Sequence, residues 1–222
     1  MKQVKRSEVI KLKLKIQIPF FIIGLILFSY GIAVAIKVKY LGVHPWDVLN
    51  IALYDKFGLT IGTWNVIFGI MLVLVTLLID RTYVNIGTFI NALMVGTMVD
   101  FFLWLDILPQ ASTLMFDVLV LLLGVVIMGI GGGMYNAARI GSGPRDGFML
   151  AISVKLGYSI SRVRIIVESV VLVVALLLGG PVFIFTIIYT FIQSPIFQAS
   201  YKLCTTWIEK LSSLKNKKVI SM

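Results

Sequence analysis

Two aspartates hold the same place in two copies of one motif. Asp47 follows Pro45 in the segment GVHPWD at 42–47, and Asp146 follows Pro144 in GSGPRD at 141–146, a constant offset of 99. The match runs on through Ala52, Lys56, Gly58 and Ile61 against Ala151, Lys155, Gly157 and Ile160, with Thr60 and Ser159 as a conservative pair. Proline suits the first position of a helix, because that N–H has no intrahelical partner. A carboxylate two residues later sits in the first turn, near the positive end of the helix dipole. Gly58 and Gly157 stand where a left-handed cap would end each helix. Each motif therefore predicts a compact helix with a specified start and stop, over about 46–57 and 145–156. Its acid either caps and ties the helix to a neighbour or lines a polar cavity. Trp46 and Arg145 lie between proline and acid in the two copies.

Other groups with chemical potential are few. Asn65, Asn91, Asp100, Asn136, Glu168 and Gln193 fall inside apolar runs. Glu168 follows Arg164 by four residues, which allows an i,i+4 ion pair or a carboxylate linked to a proton or solute. Asp100 falls near the end of its run and is expected to reach water. Thr88 and Thr186 correspond at an offset near 98, in stretches where hydroxyls and small residues permit close helix packing. Gly124, Gly129, Gly131, Gly132 and Gly133 crowd one apolar run, with Gly24 and Gly31 in the first. The candidate solute-cavity or gating residues are thus Pro45, Trp46, Asp47, Thr88, Asn91, Asn136, Pro144, Arg145, Asp146, Glu168 and Thr186. The single histidine, His44, has no partner set for a metal site or a Ser–His–Asp arrangement, and reads as interfacial. The one cysteine, Cys204, makes no intrachain disulfide. No catalytic, cofactor or metal site is expected, and an enzyme is disfavoured.

The elements that must carry these residues follow from hydropathy. The chain is 59% hydrophobic, 14% charged and has a mean hydropathy of +1.01, so its expected solvent is the bilayer. The expected fold is all-α, with six apolar segments long enough to span hydrocarbon, at about 17–36, 62–79, 84–105, 114–136, 163–179 and 182–203. The two motif helices are too short to cross and read as re-entrant or interfacial. The basic start and apolar first run imitate a signal peptide, but the run is long for one and reads as a retained span. Trp46, Trp64, Trp104 and Trp207 fall at segment ends, as in an aromatic belt. The net charge of +10 does not point to nucleic acid, because the charges sit between and beyond the apolar runs. With the N-terminus in the cytoplasm and six crossings, all of the 20 basic residues except Lys37, Lys39 and Lys56 lie inside, and the loop from Asp106 to Asp117 has acids and no base. Each half then holds three spans, so the second enters from the opposite face: an inverted repeat. The expected organisation is a basic cytoplasmic tail over 1–16, one transmembrane domain over 17–204 (repeat one 17–106, repeat two 113–204), and a second basic tail over 205–222.

The two GxxP-W/R-D segments, the Gly-Thr pair at Gly87-Thr88 and the glycine-rich fourth span together resemble the YczE/YyaS/YitT-like group of bacterial integral membrane proteins, over about residues 17–200. The resemblance implies a small multi-pass protein of the bacterial inner membrane and does not name a solute. Phe185 stands where the pattern would place a second glycine before Thr186. Paired short helices within inverted halves point to a transporter or permease for a small polar or anionic solute. The alternative is a non-transporting accessory or solute-binding subunit of a partner complex. Expected partners are the lipid bilayer, a small solute, and a second copy or another membrane protein, with no nucleic acid.

Overall fold

The structure is a computed structural model that describes residues 2–105 and 113–220. The described residues form eight α-helices in order: α1 Lys2–Lys37, α2 Pro45–Phe57, α3 Ile61–Ile79, α4 Ile86–Leu105, α5 Leu114–Ala137, α6 Pro144–Leu156, α7 Ile160–Leu177 and α8 Ile184–Ile220. The described residues contain no strand. The all-α expectation holds, and both motif helices form within a residue of the expected bounds. The basic segments at the two ends continue α1 and α8 as helix. Of the acidic loop expected from Asp106 to Asp117, residues 106–112 lie outside the described residues, and Asp117 falls in the first turn of α5, where it is buried.

Among the described residues, four helical stretches are long and apolar enough to cross a membrane: Leu14–Lys37, α3, α4 and α5. The two further spans expected from the sequence form helices of different character. α7 is 18 residues, about 27 Å of helix, but carries Arg162, Arg164 and Glu168. α8 is interrupted by Gln193, Ser194, Gln198 and Ser200. The apolar side chains turned outward include Leu78, Ile86, Leu93, Leu114, Met115, Leu119 and Trp104, far more apolar surface than a water-soluble monomer presents.

Local signals explain the helix ends. Pro45 and Pro144 open α2 and α6 behind His44 and Gly143, neither of which caps with a side chain. Thr60 caps α3 by accepting from the Thr63 N–H, and Ser159 caps α7 by accepting from the Arg162 N–H. Gly157 ends α6 in the left-handed conformation (φ 68°, ψ 20°). Gly58 departs from expectation with φ 76° and ψ −149°, and Leu59 supplies the left-handed residue instead (φ 65°). In the turn after α3, Asp80 accepts from the Thr82 N–H at 2.9 Å and hydroxyl at 2.8 Å, which holds its carboxyl below the usual range.

The helices pack by exchange between the halves. α2 of the first half lies on α7 of the second, and α6 of the second lies on α3 of the first. α1 and α5 cross antiparallel through glycine: a Cβ on Gly24 would stand 2.9 Å from the Gly131 carbonyl oxygen, and one on Gly31 2.7 Å from that of Gly124. Any larger side chain there would separate the backbones. Gly42, at φ +112°, abuts the Thr186 backbone (2.6 Å from a built Cβ to the nitrogen), and its counterpart Gly141 abuts Gly87 and Thr88. Thr88 and Thr186 also cap alike, accepting from the N–H three residues earlier at 3.4 and 3.3 Å. Phe185 in place of a glycine leaves that role intact. α2 is buried along its whole stretch from Pro45 to Leu53, so protein surrounds it on every side there. An interfacial helix would keep one face wet.

The corresponding seams differ between the halves. α3 and α4 pack closely, with Gly62 against Gly96 and Gly69 against Ala92. Asp100 clamps this seam, accepting from the Gly62 N–H at 2.8 Å and from the Thr60 hydroxyl. That corrects the expectation that Asp100 simply meets water: an acid at the end of an apolar helix captures the orphan donors at the start of its neighbour. α7 and α8 diverge, with few close backbone approaches among the described residues.

Candidate functional site

Between the two motif helices lies a cavity of about 570 Å³, bounded by residues from both halves of the chain. α2 and the residue before it contribute Trp46 and His44, and α6 contributes Pro144, Arg145, Asp146 and Met149. α3 and α7 present corresponding positions, Asn65 and Gly69 from one, Arg164 and Glu168 from the other. α4 adds Asn91, and α8 adds Gln193, Ser194, Phe197, Gln198 and Tyr201 along the gap where it leaves α7.

The polar groups form two ion-paired strings. Asp47, 2% exposed, lies 3.6 Å from the Arg145 guanidinium, so an acid of one motif answers a base of the other. The same guanidinium stacks on Trp46, its carbon 5.2 Å from the ring centre. Arg164 donates to Asp146 at 3.1 Å and faces Glu168 at 4.0 Å, and Glu168 in turn lies 3.8 Å from His44 Nε2. The i,i+4 pair foreseen for Glu168 forms, and the same carboxylate lines the cavity. Each motif aspartate faces an arginine, Asp47 facing Arg145 and Asp146 facing Arg164. The His44 ring meets the edge of Tyr189 (5.6 Å between centroids), whose hydroxyl donates to Met128 Sδ at 3.1 Å. Around the cavity, the buried polar atoms with no hydrogen-bond partner among the described residues include Trp46 Nε1, Asn91 Nδ2, Arg164 Nε, His44 Nδ1 and Asp47 Oδ1.

Of the residues singled out from the sequence, Trp46, Asn91, Pro144, Arg145, Asp146 and Glu168 line the cavity, and Asp47 backs it through Arg145. Pro45 is buried without reaching the cavity. Thr88 and Thr186 hold the glycine contacts between halves. Asn136 bonds to the Gly132 carbonyl at 3.0 Å and faces a separate recess of about 230 Å³ with Arg139 and Ser142. Two aromatic-belt and interface expectations are corrected. Trp46 is 4% exposed and stacked on Arg145, and His44 is buried against Glu168 and Tyr189. Burial of the motif helix carries both inward. Trp104 and Trp207 remain on the exterior, as a belt requires. Tyr135, Gln198 and Tyr201 also line the cavity, and in the sequence such periodic aromatics and amides on a long helix look like ordinary packing. Among the described residues no group of three histidine, cysteine or acidic side chains is arranged to hold a metal.

Comparison with known proteins agrees with this membrane architecture. Residues 15–202 match a family of unknown function, DUF6198. The chain is 38% identical over 172 residues to the uncharacterized membrane protein YczE of Bacillus subtilis (strain 168), covering 78% of this chain and 79% of YczE. It is 28% identical over 172 residues to the uncharacterized protein YyaS of the same organism, covering 76% of this chain and 84% of YyaS. An uncharacterized protein of Haemophilus influenzae is 29% identical over 151 residues, 67% of each chain. No solved structure matches. The chain belongs to the DUF6198 family and is a relative of the membrane protein YczE and of YyaS.

Proposed function

We propose that this protein is a transporter of a small polar solute, built from two inverted halves that share one binding cavity. In this reading α7 and α8 also cross the bilayer, both termini are cytoplasmic, and the membrane is the bacterial inner membrane. The halves meet as an inverted pair would: α1 and α5 run antiparallel, and α2 and α6 each dock on the opposite half.

One observation carries the reading. Seams that correspond in the repeat are in opposite states, α3–α4 clamped by Asp100 and α7–α8 apart, with the cavity running into the gap. Two equivalent gates of which only one is closed is the arrangement alternating access requires. With the N-terminus inside, the closed end at Thr60 faces outward and the open end at Ser159 faces the cytoplasm. Substitution of Ser159, Ser194 and Gln198 for Thr60, Gly96 and Asp100 means the second gate has no acid clamp.

Purified protein in proteoliposomes is the test. Uptake of a solute from a broad panel, abolished by Arg145→Gln in folded protein, supports transport. Folded wild-type protein that moves nothing, yet comes out of native membranes with a stoichiometric partner, favours the accessory subunit instead.

A further inference from the structure

We propose that the cavity binds a zwitterion with α-amino-acid chemistry, a carboxylate and an ammonium a few atoms apart on an apolar body. The inference rests on the transport reading for its biological role, while binding itself is measurable without flux.

The unspent donors come first. Trp46 Nε1 and Asn91 Nδ2 belong to side chains that line the cavity, are each 4% exposed, and have no hydrogen-bond partner among the described residues. Arg164 Nε, from a third helix, also has no hydrogen-bond partner among the described residues, although its side chain is 39% exposed and the atom faces Glu168 at 4.0 Å. An indole N–H and a guanidinium N–H can only donate, so the missing partner is an acceptor. Buried polar atoms without partners are rare in native proteins, and three N–H groups from α2, α4 and α7 around one space mark where a ligand's oxygens belong.

Charge then narrows the acceptor. A simple anion would suit the donors, but neither arginine is available to neutralise it alone. Arg145 faces Asp47, and Arg164 faces Asp146 and Glu168, so both guanidiniums are already engaged by carboxylates. A lone anion would have to compete with these carboxylates for the same two guanidiniums. A lone cation would leave the three donors unanswered. A zwitterion satisfies both: its carboxylate accepts from Trp46, Asn91 and Arg164, and its ammonium donates to Asp146 and Glu168. It also adds no net charge to be carried through the bilayer interior.

Size and lining complete the fit. About 570 Å³ is within the usual range of small-molecule sites, and Phe28, Met128, Met149, Phe197 and Tyr201 offer an apolar wall for a side chain. These residues favour a large apolar amino acid, or a dipeptide of such residues, over a small polar one.

The test uses the full chain purified in detergent, with thermal unfolding followed as ligand is added. The probes are phenylalanine, leucine and their dipeptide as zwitterions, N-acetylphenylalanine as the anion, and phenylalanine amide as the cation. At least one zwitterion is expected to raise the unfolding temperature in a saturable way, with the two singly charged analogues at least ten-fold weaker. Trp46→Phe, which removes the N–H and keeps a ring, is expected to weaken that binding about ten-fold. Asn91→Leu serves as the second variant where Trp46→Phe does not fold. Equal binding of the acetylated acid or of the amide overturns the proposal, as does no shift with any zwitterion or unchanged affinity in both variants. Zwitterion binding without flux keeps this inference and removes transport. Flux of another solute without zwitterion binding does the reverse.

Discussion

Trp46 and Arg145 occupy the same position in the two copies of the repeat, and they touch: the guanidinium carbon of Arg145 lies 5.2 Å from the centre of the Trp46 ring. The motif difference that looks like drift in the sequence, tryptophan in one copy and arginine in the other, is a complementary pair between the two motif helices. Asp47 then binds the arginine from the tryptophan's own helix, 3.6 Å away.

Removing one charge of that pair should cost far more than removing both. Arg145→Gln strands the buried Asp47 carboxylate, and a loss of about 3–5 kcal/mol is expected. Adding Asp47→Asn to the same chain should recover most of it. Thermal unfolding of the two single variants and the double variant in detergent measures the coupling. Losses that merely add would mean the two side chains do not depend on each other.

The glycines at corresponding positions 42 and 141 should be intolerant for related reasons. A Cβ at position 42 would lie 2.6 Å from the Thr186 backbone nitrogen, and the residue has φ +112°. At position 141 the collision is with the Gly87 and Thr88 backbone. Backbone atoms cannot rotate aside as a flexible side chain can. Gly42→Ala and Gly141→Ala are each expected to lose more than about 2 kcal/mol, the range of severe substitutions. Loss of the monodisperse peak in size-exclusion chromatography would report it, and normal yield and melting of both variants would contradict it.

The α3–α4 clamp should open when its acid is removed. Asp100→Ala deletes the acceptor of the Gly62 N–H and the Thr60 hydroxyl. Gly96→Leu would wedge the same seam, because its built Cβ stands 2.5 Å from Val66 Cγ2. In a Cys204→Ser background, Asn65→Cys should label faster with a membrane-impermeant thiol reagent once either change is made. Equal labelling rates with and without the clamp would count against Asp100 as a gate residue.

Asn50 should be replaceable with a gain. Its side chain is 1% exposed, and both of its polar atoms lack hydrogen-bond partners among the described residues. The corresponding position in the second copy is Met149. Asn50→Met removes two buried orphans and is expected to stabilise the protein by about 1–3 kcal/mol. A rise in unfolding temperature checks this, and a fall would show that Asn50 holds something the fold itself does not provide.

Legibility divided along the range of the interactions. The bounds of α2 and α6 could be read because proline, acid and glycine act over a single helix, and the apolar runs because burial in lipid leaves a composition of its own. Thr88 and Thr186 were recognisable as packing positions, although the glycine each one receives comes from the other half. The roles of Asp100 and His44 are not legible in the sequence because their partners, Gly62 in one case and Glu168 in the other, lie on different helices. Nothing adjacent in the chain marks either contact.

By itself, the sequence determined a helical membrane protein with a duplicated motif, the start and stop of both short helices, and the acids they carry, since each depends on local backbone chemistry or on transfer from water to lipid. Only the tertiary structure decided that Trp46 stacks on Arg145, that Asp47 answers the opposite motif, and that one helix seam is clamped while its counterpart stands apart. Those outcomes depend on how two halves separated by 99 residues dock, and docking is set by glycine contacts and ion pairs between helices distant in the chain.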